Sequence, residues 1–197
     1  MINKWIIACV TIAIIAGCGQ KETYDIVILN GNVYDGSGSP ATLVDIGIRN
    51  ERIAAIGDLK GANAKTIIDV KGLAVAPGFV DLHAHLESIA EFPFCENLIR
   101  QGITTALGGP DGGGPWPFAD NLDALHKSKL GINVGFLVGH NVIRKNVIGL
   151  ENRAPTAAEL AQMKENVSAA MQAGAFGIST GLKYLPGTFS ETGEVIE

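Results

Sequence analysis

Residues 76–85 read Ala-Pro-Gly-Phe-Val-Asp-Leu-His-Ala-His, an apolar run that ends in two histidines spaced two apart. On a β-strand, side chains two residues apart point to the same face. The imidazoles of His83 and His85 are therefore predicted to converge on one point, with Asp81 on the same face to orient one ring. Imidazole is a good ligand for zinc and similar metals. A bare His-x-His pair is not specific, so the surrounding chain has to support a metal site.

Downstream of this stretch, predicted strands alternate with predicted helices, which implies parallel βα units. A closed (β/α)₈ barrel needs about 250 residues, and roughly 120 residues hold four such units here, so the pattern predicts half a barrel. The alternative is a complete small doubly wound sheet, but histidines occupy the position of its phosphate loop. The predicted strands cover 78–83, 103–107, 132–138 and 175–179, and the predicted helices cover 93–101, 118–129 and 156–173.

Upstream, residues 24–75 alternate apolar and polar residues in short runs separated by Gly, Asn and Asp. Such runs are typical of hairpins, and they predict a small antiparallel sheet as a separate domain. Residues 76–197 then form the second domain.

The N-terminus has the pattern of an export signal. Lys4 precedes an apolar run over 5–16, which is shorter than the ~20 residues of a membrane-spanning helix and matches a signal-peptide core. The run ends in Ile-Ala-Gly-Cys at 15–18, which resembles the site cut by lipoprotein signal peptidase. We expect a signal peptide over 1–17, a lipidated Cys18 and a tether over 18–23. An ordinary signal peptide or a buried apolar helix is the alternative.

This interpretation places the mature chain in the bacterial periplasm, held to the membrane through its lipid anchor only. Gly19 after the cysteine favours the outer membrane. Cys9 would be removed and Cys18 acylated, so Cys95 would remain as the single thiol of the mature chain, which excludes an internal disulfide. The net charge of −5 and the absence of a basic run argue against nucleic-acid binding.

The motifs together resemble a known superfamily. The stretch at 76–85 is similar to the first barrel strand of the amidohydrolases. Three later segments, at 102–105, 138–140 and 176–182, look like the N-acyl-D-amino-acid deacylase (D-aminoacylase) family. The resemblance covers nearly all of 24–197. It implies an α/β fold, with a small N-terminal β-sandwich domain followed by the first half of a metal-dependent (β/α)₈ (TIM) barrel. It also implies one or two zinc ions and a small N-acylated amino acid or related amide as substrate.

One position departs from the family pattern. Members commonly carry a zinc-binding cysteine after the second strand, and here Asp111 stands in its place. A carboxylate also binds zinc, so Asp111 is either a substitute ligand or a solvated residue of a glycine-rich turn. His140 follows the third strand and either contacts substrate or is a hydrogen-bonded structural residue. Lys183 follows the fourth strand; we expect it to face solvent rather than to bridge two metals as a carbamate.

The resemblance implies amide hydrolysis by a metal-activated water, with further histidines from the fifth and sixth strands and a proton-shuttling aspartate from the eighth. Those strands lie beyond residue 197, so we expect the 197-residue chain to be a truncated piece that is inactive alone. A cyclic-amide hydrolase of the dihydroorotase or hydantoinase type is the alternative enzyme. A non-catalytic surface lipoprotein is the alternative from another class. The sequence leaves the oligomeric state open.

Overall fold

The computed structural model describes residues 23–197, so the predicted signal peptide and Cys18 lie outside the described residues. The chain divides after Pro77 into two units. Within 23–197, no helix is both long enough and apolar enough to cross a membrane.

The first unit is built around one five-stranded sheet with the order β3-β2-β1-β4, in which β5 also pairs with β1. A tight turn joins β2 to β3 through Asn50 and Glu51, whose φ angles are 51° and 61°; positive φ at both central residues is typical of the turn that matches hairpin twist. The strands are β1 (Thr23–Val33), β2 (Thr42–Arg49), β3 (Arg52–Gly57), β4 (Asn63–Asp69) and β5 (Ala74–Val75).

The antiparallel prediction holds for β1, β2 and β3, but it is wrong for β4 and β5, which pair with β1 in parallel. The residues between β3 and β4 carry the chain back to the other edge of β1, so β4 runs in the same direction as β1. Alternating hydrophobicity indicates which face of a strand is apolar but not which way its neighbour runs.

The sheet of the first unit buries few apolar side chains and leaves others exposed. Tyr24, Val27 and Ile46 are buried, and so is the carboxylate of Asp45. That carboxylate accepts hydrogen bonds from the backbone N–H groups of Asn30 at 2.8 Å and Leu59 at 2.9 Å, which offsets the cost of burying its charge. Large apolar side chains on the strands are exposed, namely Leu43, Ile53, Ile56, Ile67 and Ile68. The described residues of this unit thus supply one sheet layer.

The second unit alternates strands and helices, and all of its strand pairs are parallel. Its elements are β6 (Phe79–Asp81), α1 (Glu96–Ile99), β7 (Ile103–Gly108), α2 (Phe118–His126), β8 (Asn133–Phe136), β9 (Val138–Gly139), α3 (His140–Val147), α4 (Ala157–Gln172), β10 (Ile178–Ser179), a 3₁₀ turn (Gly187–Phe189) and α5 (Thr192–Ile196). The predicted βα alternation is therefore present, and the sheet does not close within 78–197.

The predicted third strand is divided into β8 and β9, and Leu137 marks the change of partner. Its backbone N–H donates to Gly108 at the end of β7, whereas the N–H of Val138 donates to Gly177 beside β10. One strand thus lies between β7 and β10, and the spatial order β6, β7, β8/β9, β10 follows the chain as it does in a barrel.

Helices α2 and α4 agree with the predicted ranges, and α4 has the predicted capping box. The Thr156 hydroxyl accepts from the backbone N–H of Glu159 at 3.3 Å, and the Glu159 carboxylate accepts from the N–H of Thr156 at 2.8 Å. Helices α3 and α5 are not predicted by the sequence, and α1 is shorter than predicted. The core of this unit is centred on buried apolar side chains of the strands and helices, among them Ala106, Phe136, Val138, Ile143 and Met163.

Candidate metal centre

His83 and His85 lie in the loop that follows β6, just past the point where the strand ends at Asp81. Strand alternation therefore does not set their direction, yet the rings approach each other edge to face with centroids 5.8 Å apart. The side chain of Asp81 does not orient a ring as predicted. Its Oδ1 instead accepts a hydrogen bond from the backbone N–H of His83 at 3.0 Å, which fixes the start of the loop.

Asp111 meets both histidines. Its Oδ2 lies 3.4 Å from Nε2 of His83 and 3.7 Å from Nε2 of His85. Asp111 comes from the turn after β7, and β6 and β7 are neighbours in parallel. The three side chains therefore gather at the carboxyl edge of the sheet, where the active sites of (β/α)₈ barrels lie.

The geometry of these three residues fits a divalent metal. One donor atom from each residue can be chosen so that all three lie within 4.8 Å of one another, and theirs is the one such cluster found among residues 23–197. Zinc binds nitrogen and oxygen ligands at ~2.0–2.2 Å in tetrahedral sites, so ligand atoms are about 3.3 Å apart. The distances from Asp111 to the two rings are close to that value. Two imidazoles and a carboxylate are also a donor set that zinc accepts.

Glu87 completes the surroundings of the site, and the sequence analysis missed it. Its Oε1 lies 3.0 Å from Nδ1 of His85. When Nδ1 carries the proton for this hydrogen bond, Nε2 keeps its lone pair for a metal, as is common for metal-binding histidines. The hydrogen bond to Glu87 raises the pKa of His85. Burial is the largest single effect and raises the pKa of Glu87, but the hydrogen bond from His85, a backbone hydrogen bond and the charge of His85 together lower it. A carboxylate two residues after a ligand histidine is the signal that could have revealed this role.

A cavity of about 700 Å³ opens beside the two histidines, within the second unit. Much of its wall is apolar, with Leu86, Ile89, Phe92 and Phe94. The wall also carries three carboxylates, those of Asp81, Glu91 and Glu96. A cavity of this size, with a few polar groups at one side, is typical of a small-molecule site.

Comparison with known proteins relates this site to a family. No protein-family model matches the chain. In sequence, the chain is 38% identical over 202 residues to D-aminoacylase from Alcaligenes xylosoxydans xylosoxydans, and the match covers 90% of this chain. In structure, it superposes with a TM-score of 0.83 and 36% identity on N-acyl-D-glutamate deacylase from Bordetella bronchiseptica, over 88% of this chain. The chain belongs to the D-aminoacylase family.

That assignment confirms the resemblance to the amidohydrolase superfamily and the predicted fold class. The Bordetella bronchiseptica enzyme was solved with zinc and a phosphonate that mimics the tetrahedral intermediate. A D-aminoacylase studied for its binuclear metal centre superposes with a TM-score of 0.82 and 34% identity over 88% of this chain. The chain spans about 42% of the length of each of these three relatives.

His140 lies away from solvent in this member of the D-aminoacylase family. Its Nε2 is 2.8 Å from Oε1 of Glu194, whose side chain is 2% exposed and also pairs with Arg144. This contact favours the hydrogen-bonded structural role, and contact between His140 and substrate stays a prediction.

Other candidate residues behave as ordinary surface or core groups. Lys183 is exposed in the segment between β10 and the 3₁₀ turn, in agreement with a solvent-facing side chain, and His126 is exposed on α2. Cys95 is buried, and burial raises the pKa of its thiol. A buried, protonated thiol is a poor metal ligand.

Proposed function

We propose that this chain carries part of the metal site of a zinc-dependent amidohydrolase that removes the acyl group from N-acyl-D-amino acids. The observation that carries the proposal is the convergence of His83, His85 and Asp111 at the carboxyl ends of adjacent parallel strands. The D-aminoacylase relatives support the reaction and the handedness of the substrate. The chain spans only part of the length of those relatives. We therefore propose the activity for the whole protein to which this sequence belongs, and not for these 197 residues alone.

Within this proposal, His83, His85 and Asp111 hold one or two divalent metal ions. Bound metal supplies Lewis acidity toward the acyl carbonyl and a nucleophile at neutral pH. Glu87 holds the ring of His85 so that Nε2 faces the metal position. The carboxylate of Asp111 also offsets the positive charge of the ion. Two imidazoles and one carboxylate leave coordination positions for water and substrate, which a catalytic zinc site requires.

The cavity beside the histidines supports a choice among substrates. Its wall combines apolar side chains with carboxylates, and a carboxylate side chain on the substrate would be repelled by like charge there. We therefore propose an N-acyl derivative of an apolar D-amino acid rather than of D-glutamate or D-aspartate.

The test begins by sequencing the DNA beyond codon 197, which decides the protein to assay. The gene product, loaded with zinc, is expected to release acetate from N-acetyl-D-methionine faster than from N-acetyl-D-glutamate, and not from N-acetyl-L-methionine. A chelator should stop the release and zinc should restore it. If the frame closes at codon 197, no hydrolysis is expected. A longer, folded, zinc-loaded product without D-selective hydrolysis would contradict the proposed activity.

We further propose that the mature chain begins at a lipidated Cys18, with the anchor as its contact with the membrane. The supporting observation is the apolar run followed by Ile-Ala-Gly-Cys at 15–18. In a bacterial host fed an alkyne fatty acid, the wild-type chain should take up the label and sediment with membranes. Cys18→Ser should remove the label, and the matched variant Cys95→Ser should keep it. An unlabelled wild-type chain would contradict lipidation.

A further inference from the structure

Asp111 depends on other parts of the chain for its position. It lies outside β7, in a turn where Gly109, Asp111 and Gly112 all have positive φ, with a value of 57° for Asp111. Left-handed backbone is unfavourable for a residue with a side chain, although aspartate tolerates it better than most. A carboxylate on such a turn keeps its place only where surrounding groups fix the backbone on both sides.

Ser179 fixes the turn on both sides of Asp111. Its hydroxyl donates to the carbonyl oxygen of Gly109 at 2.6 Å and accepts from the backbone N–H of Gly112 at 3.0 Å. One side chain thereby closes the four-residue span from Gly109 to Gly112 that contains Asp111. Ser179 is the last residue of β10, which pairs in parallel with β9, so the sheet itself holds the hydroxyl.

The neighbouring backbone leaves the turn little room to move elsewhere. A Cβ at Gly181 would lie 1.9 Å from the carbonyl oxygen of Asp111, and a Cβ at Gly139 would lie 2.1 Å from that of Gly113. The buried side chain of Asn141 donates to the carbonyl oxygen of Gly181 at 3.0 Å, which holds the segment after β10 against the turn. The turn is thus both packed against neighbouring backbone and hydrogen-bonded by Ser179.

We propose that Ser179 is a positioning residue of the metal site, which holds Asp111 where its carboxylate meets the two histidines. The inference rests on the proposed function, because it requires that His83, His85 and Asp111 bind a metal. Groups that orient metal ligands typically change metal affinity about 10–100-fold when they are removed. Ser179 does not touch the metal position itself, so its effect should pass through Asp111.

The experiment is a zinc titration of the full chain by calorimetry. Ser179→Ala is expected to lower zinc affinity by about 10–100-fold, and Ser179→Thr, which keeps the hydroxyl, is expected to recover most of it. Ser128→Ala is the matched control, because that exposed hydroxyl also donates to a backbone carbonyl, of Ala124 at 3.1 Å. It should leave zinc affinity unchanged. Circular dichroism of the metal-free variants checks the fold.

A second comparison separates positioning from general support of the fold. In an Asp111→Ala background, Ser179→Ala should cause no further loss of zinc affinity, because interacting residues are non-additive in such a cycle. Additive losses, unchanged affinity in Ser179→Ala, or loss of the fold in that variant would each overturn the proposal while the wild-type chain still binds zinc. A wild-type chain that binds no zinc would overturn the proposed metal site and this inference with it.

Discussion

Replacing His83 with alanine is expected to weaken zinc binding by more than about 100-fold, because removing a ligand costs more than removing a group that only orients one. The site would keep His85 and Asp111, and two protein ligands hold zinc poorly, since catalytic sites use three. Calorimetric titration of the metal-free chain with zinc at neutral pH measures the change.

The matched control is His126→Ala. It removes the same side chain from an exposed position on α2, so it should bind zinc as the wild type does. Equal weakening in both variants would mean that zinc binds histidines non-specifically, and it would remove the evidence for a metal centre at the end of β6.

Substitution of Asp111 in the same titration decides between its two interpretations. A ligand role predicts that Asp111→Ala loses affinity about as strongly as His83→Ala, whereas a solvated aspartate predicts wild-type affinity. Asp111→Cys should bind zinc at least as tightly as wild type, because it supplies the thiolate that is common in the family and that zinc favours. With Co²⁺, only the cysteine variant should show a sulfur-to-metal charge-transfer band.

The three proposed ligands could be singled out from the sequence because each one follows a recognisable strand. His83 and His85 follow the first parallel strand and Asp111 follows the second, so parallel pairing brings all three residues to one edge of the sheet. Strand alternation does not set the directions of the two rings, since β6 ends at Asp81. Convergence arises instead from the loop after the strand.

The supporting groups could not be predicted because their partners are distant in sequence. The hydroxyl of Ser179 contacts Gly112, 67 residues away, and the ring of His140 contacts Glu194, 54 residues away. Such pairs depend on which distant segments of the chain meet in the fold, which neither periodicity nor spacing encodes. The parallel direction of β4 was missed for a related reason, since it follows from the path of a connection rather than from the strand.

The second large effect is expected at Glu194, on α5. Its carboxylate contacts His140, Arg144 and the hydroxyl of Ser190, and the side chain of Arg144 is fully buried. Replacing Glu194 with glutamine keeps the size and removes the charge. Breaking a buried ion pair from one side typically costs about 3–5 kcal/mol, because the remaining charge is left uncompensated. Glu194→Gln should therefore lower the free energy of unfolding by about that amount.

Urea unfolding of the metal-free chain measures this loss. Glu165→Gln, on the exposed face of α4, is the matched control, with an expected change of less than about 0.5 kcal/mol.

The pH dependence of stability gives an independent check. Burial raises the pKa of Glu194, but its hydrogen bonds with His140, Arg144 and Ser190 and the charge of Arg144 together outweigh that effect, and the pKa is lowered. The contribution of Glu194 to stability is therefore present above the unfolded-state pKa of about 4.3 and is lost as pH falls through the lower folded-state pKa.

Glu194→Gln should accordingly flatten the decline of wild-type stability in that acidic range, while Glu165→Gln should leave it unchanged. A loss below about 1 kcal/mol with an unaltered acid profile would mean that the Glu194 carboxylate contributes no more than a surface ion pair. The contact with Glu194 would then no longer support a structural role for His140, and the imidazole of His140 would again be a candidate for binding substrate.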